Sequence, residues 1–271
     1  MSKSNRLTCT VTCADCIKAM SQIGEAVNLV CADPPYGFGA AYDAYKDNLP
    51  FSEYMTWTEK WLSACARVLH KHGSLWVFYP NELVSDVDVF VRHTLGLHRR
   101  GWITWAYGFG VCCQKNFSRG HANILYYTKT KSRFTFNAAP VRVPSDRTLV
   151  YGDKRAAAAG KLPNDVWVLT KSQMDAILPA DSDVWYMSRV CGTFHERKKH
   201  SPNQIPVALM ERIVLACSNP GDLVLDPFSG SASTGVACAL HQRNFLGYDI
   251  SKTCVREGRA RIQKTLEVAK V

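Results

Sequence analysis

The sequence contains no run of 18 or more apolar residues, so no membrane-spanning helix is expected. No apolar segment of the signal type follows the polar stretch Met1 to Arg6, and a cytoplasmic protein is the expectation. There is no internal repeat, and the one low-complexity tract is Ala156 to Ala159, which argues against a solenoid. Cys13 and Cys16 form a CxxC pair with Cys9 just before it, but no second pair of ligands stands at matching spacing. A bound metal is therefore not expected. The 11 cysteines are odd in number and irregularly spaced, which favours reduced thiols packed as small hydrophobes over a disulfide framework. Acidic residues are in short supply: 23 Asp and Glu face 33 Lys and Arg, a formal charge of +10. That balance favours a polyanionic partner. Basic residues cluster at His98 to Arg100, Lys129 to Arg133 and His195 to His200, each of which would also serve as a plain solvated face.

What is present is a chain of 271 residues, 46% of them apolar, long enough for one large α/β domain. Short runs rich in β-branched and aromatic residues recur at Leu7 to Thr12, Val27 to Ala32, Ser74 to Tyr79, Trp102 to Tyr107, Asn123 to Thr128, Leu223 to Asp226 and Asn244 to Asp249. Continuous apolar character indicates strands buried on both faces. Helical patterns lie between them. One begins at Ser52 as its cap and reaches about Leu69, with Tyr54, Trp57, Trp61, Cys65 and Val68 on a core-facing stripe; others run Pro206 to Cys217 and Ser233 to His241. Strands alternating with helices predict a doubly wound, mostly parallel sheet. The segment 137–199 breaks the rhythm with Pro140, Pro144, Pro163 and Pro179 and shows no clear βα unit. It reads as an insertion in a single domain spanning 1–271, and insertions on a rigid scaffold often carry recognition.

Two stretches carry chemistry. In CADPPYGF, residues 31–38, an apolar strand runs into two prolines that cannot continue a ladder, behind an aspartate and ahead of a tyrosine. In NPGDLVLDPFSGSASTGVACAL, residues 219–240, a strand ends at Asp226 and a loop of small residues opens a helix. Strand, loop and helix in that order is a general device for holding a nucleotide-like ligand, since small residues let the backbone approach it. Further on, FLGYDI places Asp249 at the next strand end, where an acid commonly grips ribose. Asp249 would alternatively cap the helix that follows Ile250, and Asp15 would alternatively cap a helix of its own.

Together the two stretches resemble the amino-group DNA methyltransferases that use S-adenosylmethionine. The family's catalytic motif, [D/N/S]-P-P-[Y/F], corresponds to Asp33, Pro34, Pro35 and Tyr36, and its cofactor motif F-x-G-x-G to Phe228, Ser229, Gly230, Ser231 and Ala232. The catalytic motif comes first, the circularly permuted order of the β class. The resemblance implies that Asp15, within ADCIKAM, meets the cofactor adenine, and that Asp226 and Asp249 belong to the cofactor site. It also implies that His200, Asn203 and Gln204, within HSPNQIPVALMERIV, lie near the methionine end. Three positions depart from the pattern: Ala232 stands for a glycine and disfavours positive φ, Ile205 stands for a lysine, and Ala14 for a glycine.

The residues suit that chemistry. An exocyclic amine is a poor nucleophile because its lone pair is delocalised into the base. Two acceptors aimed at its N–H groups, the Asp33 carboxylate and the Pro34 carbonyl held by a rigid Pro-Pro backbone, favour a more tetrahedral nitrogen. The base must leave the duplex, and Tyr36 then offers a face for stacking. A carbon-5 cytosine enzyme would need a Pro-Cys nucleophile, and the sequence has no Pro-Cys. Adenine N6 in double-stranded DNA is the expected target, with cytosine N4, or an inactive DNA-binding module, as alternatives. The resemblance implies a setting among restriction-modification enzymes, and a homodimer is an allowed assembly. Arg197, Lys198 and Lys199 are the expected phosphate contacts, with 137–199 as the target-recognition region.

Overall fold

The computed structural model describes residues 7–106, 113–115, 117, 120–149, 151–155, 157–167 and 204–269. The His200, Asn203 and Arg197–Lys199 expectations lie outside them, as does the whole of 168–203.

Among the described residues eight strands form one sheet: β1 Cys9–Cys13, β2 Val27–Ala32, β3 Leu69–Tyr79, β4 His98–Ala106, β5 His121–Thr128, β6 Val166–Trp167, β7 Leu223–Asp226 and β8 Asn244–Asp249. Their order is β1-β8-β7-β2-β3-β5-β4-β6. The first five run parallel; β5 is antiparallel to both β3 and β4, and β6 adds parallel to β4. Six of the seven strands expected from the sequence start or end within a few residues of the observed ones, and Tyr107, the end expected for β4, lies outside the description. Inside 137–199 the pairing of β6 with β4 was not legible, because two residues carry no periodicity.

Buried strands explain the sandwich. Along β3, Trp76 and Phe78 enter one core while Leu75, Val77 and Tyr79 enter the other, the period-2 alternation of a sheet covered on both faces. The first core is closed by α5 Val207–Cys217, α6 Ser233–Leu240 and α7 Lys252–Val268, through Leu209, Ile213, Val236 and Ile262. The second is closed by α1 Cys16–Met20, α2 Phe51–Val68 and α3 Val84–Val89, through Met20, Trp61, Leu62 and Val87. A short helix, α4 Asp146–Leu149, follows β5. Ser52 is not the cap of α2: the cap position is two residues earlier, at Pro50, with no side-chain cap bond. Pro50 itself is extended, φ −54° and ψ 145°, and Phe51 is the first helical residue.

Of the nine described cysteines six are buried, while Cys9 and Cys113 are partly exposed and Cys13 is exposed. Cys31, Cys65, Cys217 and Cys238 are buried and free, and burial pushes the thiols of Cys31, Cys65 and Cys238 well above their ordinary range. Among the described residues, no helix is long and apolar enough to cross a membrane. Asn137 anchors the start of the 137–199 segment to the end of α5, its amide donating to the Leu215 and Ser218 carbonyls at 3.1 and 2.8 Å.

Candidate active site

The parallel half of the sheet gathers four acids along one edge. β1, β8, β7 and β2 are neighbours pointing the same way, and Asp15, Asp249, Asp226 and Asp33 stand at or just past their carboxyl ends. In open α/β sheets that edge is where ligands bind, because the loops diverge there and leave a crevice. A cavity of about 240 Å³ opens on it, lined by all four acids. Asp33, Pro35, Asp15, Asp226, Phe228 to Ser231, Asp249 and Gln204 therefore meet on one wall-to-wall site although they are spread from one end of the chain to the other.

The cofactor-type loop is moulded by its own acids. Asp226 is buried; its Oδ1 accepts from the Phe228 N–H at 3.0 Å and its Oδ2 from the Thr234 hydroxyl at 2.6 Å. Burial raises its carboxyl to about 7, the two hydrogen bonds oppose that rise, and the neighbouring Asp249 charge adds to it. Asp249 splits its two oxygens between the loop and the next helix: Oδ2 accepts from Gly230 N–H and Oδ1 from Ser251 N–H, both at 2.8 Å. The cap of α7 is Ser251, whose hydroxyl accepts from Cys254 N–H at 3.1 Å, so Asp249 is not the helix cap. Asp15 does cap α1, accepting from Lys18 N–H at 2.9 Å, and lines the cavity as well.

Ala232 adopts the left-handed conformation, φ 59° and ψ 35°, fully buried at the start of α6. The departure from glycine thus keeps the backbone geometry that a glycine would favour. Its methyl group points at α7, where Gly258 leaves room: a β-carbon at 258 would lie 3.1 Å from the Ala232 Cβ. Ile205, in the place of a lysine, lines the cavity and lends its carbonyl to the Ser233 hydroxyl at 2.7 Å.

At the catalytic-type tetrad the Tyr36 hydroxyl donates to Asp33 Oδ1 at 2.5 Å. Burial and the adjacent Asp33 carboxylate hold the phenol well above its ordinary range, so it stays a donor. The Tyr36 ring tilts against Phe38 and Tyr79, with centroids 6.4 and 6.0 Å away. Tyr54, on α2, donates to the Pro35 carbonyl at 2.9 Å.

Several site residues gave no motif in the sequence. Thr234 reaches Asp226 because the loop folds back over eight positions. Tyr42, Asp43 and Tyr45 come from the segment after the tetrad and form the far wall, with the Ser251 hydroxyl donating to Asp43 Oδ2 at 2.7 Å across it. Trp57 belongs to the wall and only in part to the core expected of it: it stacks on Tyr45 at 6.2 Å and leans on Phe228 at 5.6 Å, while Trp61 is fully buried. Two buried hydroxyls of the lining, on Tyr45 and Ser229, have no hydrogen-bond partner among the described residues. Orphaned polar atoms in a cavity wall mark where a ligand's own polar groups would bond.

The chain is similar in sequence and in fold to known proteins. Residues 27–259 match the family described as DNA methylase, of the N6 and N4 type. The chain is 34% identical over 251 residues to the type II methyltransferase M.HpaI of Haemophilus parainfluenzae, covering 92% of this chain and 73% of that one. It is 32% identical over 260 residues to the DNA adenine methyltransferase YhdJ of Escherichia coli (strain K12), covering 93% and 82%. Among solved structures, a complex of M1.HpyAVI with SAM aligns with a TM-score of 0.60 at 23% identity over 93% of this chain and 98% of that one. The cytosine-N4-specific PvuII DNA methyltransferase aligns with a TM-score of 0.68 at 15% identity over 97% and 93%. These last two likenesses show the fold.

Proposed function

The chain belongs to the N6 and N4 DNA methylase family, and from that premise we propose that it transfers a methyl group from S-adenosylmethionine to the N6 amine of adenine in double-stranded DNA. The observation that carries the reading is the convergence of Asp33 and Pro35 with the Phe228 to Ser231 loop on one cavity at the carboxyl edge of β1, β8, β7 and β2, with Tyr36 outside the lining and bonded to Asp33.

The cavity fits the cofactor's parts. Aromatic walls from Trp57 and Phe228 suit a purine, Asp15 and Asp249 are acceptors for its amine and for ribose hydroxyls, and the orphaned Tyr45 and Ser229 hydroxyls offer two more polar contacts. Gln204, nearly fully buried on the same wall, is assigned to the methionine end. Bound there, S-adenosylmethionine supplies an electrophilic methyl on a sulfonium, so no covalent enzyme intermediate is needed and the protein's task is positioning.

Asp33 takes one N–H of the target amine on its carboxylate, and the Pro34 carbonyl takes the other, which concentrates the nitrogen lone pair toward the methyl donor. The Tyr36 hydroxyl fixes the rotamer of that carboxylate through its 2.5 Å bond. The nitrogen gains a methyl group and gives up one proton, which the Asp33 carboxylate is placed to accept. Adenine is favoured over cytosine by aspartate in the first position of the tetrad and by likeness to an enzyme described as an adenine methyltransferase. Segment 137–199, with Arg197, Lys198 and Lys199, is assigned to the duplex. Sequencing modified bases in DNA from cells that express the chain tests the reading: N6-methyladenine at one recurring sequence is expected, and unmodified DNA would contradict it.

A further inference from the structure

Asp47 has no place in any motif, yet it is 3% exposed, a depth at which a carboxylate persists only with strong partners. Its partners are consecutive backbone amides. Oδ1 accepts from Gly37 N–H at 2.6 Å, and Oδ2 accepts from Phe38 and Ala40 N–H, both at 3.1 Å. The Asp47 carbonyl accepts the remaining amide, Gly39 N–H, at 2.6 Å. Gly37 and Gly39 both have φ +75°, a conformation side chains rarely adopt, and it turns the amides inward into an anion-binding concavity. The anion is a side chain of the same loop.

The turn it fills begins at the residue after Tyr36. Gly37 is also pressed against Tyr54, since a β-carbon there would lie 3.3 Å from the Tyr54 ring, and Tyr54 holds the Pro35 carbonyl. The exit of the tetrad is thus gripped by Asp47 on one side and Tyr54 on the other, while the Tyr36 hydroxyl reaches Asp33. Asp47 is absent from the cavity lining, and the turn it fills is its link to the tetrad.

We propose that Asp47 is a positioning residue for methyl transfer: by filling the Gly37–Ala40 turn it holds Tyr36, and through the Tyr36 hydroxyl the Asp33 carboxylate, in the geometry that receives the amine. The inference rests on reading Asp33 to Tyr36 as the amine clamp.

Asp47→Asn keeps the shape but turns one acceptor into a donor that faces N–H groups. With purified full-length protein, saturating S-adenosylmethionine and saturating duplex DNA, single-turnover methyl transfer is expected to fall by about ten- to a hundredfold, the cost of a small misplacement of reacting groups. Cofactor affinity, measured by calorimetry, should change far less than the rate, because Asp47 lies outside the cavity lining and the Ser251–Asp43 bond gives the far wall a second anchor. In a Tyr36→Phe background the effect of Asp47→Asn should shrink, since the connection to Asp33 is already cut. An unchanged rate, or effects of the two substitutions that simply multiply, would overturn the proposal. If Asp47→Asn shows no cooperative unfolding transition, Gly37→Ala decides. It strains the same turn with Asp47 intact, and should lower the transfer rate with cofactor affinity kept; a normal rate would overturn the proposal. Asp33→Ala measured alongside separates the two readings: if it transfers normally the clamp itself is wrong, whereas its loss with Asp47→Asn unaffected refutes only the role of Asp47.

Discussion

Replacing Ala232 by glycine should leave the protein's stability almost unchanged and its cofactor affinity equal or higher. At φ 59° and ψ 35°, an alanine has its β-carbon crowded against the following carbonyl, which costs about 1–2 kcal/mol that glycine does not incur. Two effects oppose the gain. The methyl is fully buried, and removing it forfeits about 0.8 kcal/mol of apolar transfer. Glycine also enlarges the unfolded ensemble, worth about 0.4–1 kcal/mol against folding. The sum lies within about 1 kcal/mol of zero. Gly258 gives a sharper test. Within α7, glycine-to-alanine ordinarily gains about 0.5–1 kcal/mol, but here the new β-carbon would sit 3.1 Å from the Ala232 methyl. In the Ala232→Gly background that obstacle is gone, so Gly258→Ala should stabilise there by more than it does alone, with a coupling of at least about 0.5 kcal/mol. Urea unfolding of the two single variants and the double variant measures this, with calorimetry for S-adenosylmethionine. Additivity, or a loss above about 2 kcal/mol for Ala232→Gly, would refute the packing argument.

Two further predictions test charge. Asp226 binds its proton more tightly when folded, at about 7, than an unfolded aspartate at about 3.9. Its stabilising contribution is therefore full below about pH 4 and is lost as pH rises toward 7. Without cofactor, wild-type stability relative to Asp226→Asn should fall over that window by up to about 1.4 kcal/mol per pH unit, and parallel stability curves for the two would reject the assignment. Neutralising Lys198 and Lys199 together should weaken binding to specific and unrelated duplexes alike and reduce the slope of log affinity against log salt by about two, whereas an unchanged slope would leave the cluster as solvated surface.

The sheet was legible because its strands are buried on both faces, so Val27–Ala32, Leu223–Asp226 and Asn244–Asp249 stand out as apolar runs with abrupt polar ends. The acids at those ends were legible for the same reason: an aspartate directly after such a run must lie at the sheet edge. Contacts made by chain reversal were not. Asp47 finds four amides of a turn, Thr234 reaches back to Asp226, and Tyr45 meets Trp57 across the cavity, and none of these pairs has a fixed spacing to read. Trp57 shows how periodicity misleads. It falls on the same helical stripe as Tyr54, Trp61 and Cys65, which are buried, but its own ring is only partly covered and lines the site between Tyr45 and Phe228. Ser52 is not the cap because the helix has already begun at Phe51, which places Ser52 inside its first turn.

The most direct test of the account is the rate of methyl transfer from S-adenosylmethionine to duplex DNA by Asp33→Ala, set beside its cofactor affinity. One preorganised electrostatic partner is worth at least about a hundredfold in rate, so transfer should fall by that much or more while calorimetry shows cofactor bound nearly as well as by the wild type. Near-normal transfer by Asp33→Ala would contradict the assignment of the tetrad as the clamp for the target amine.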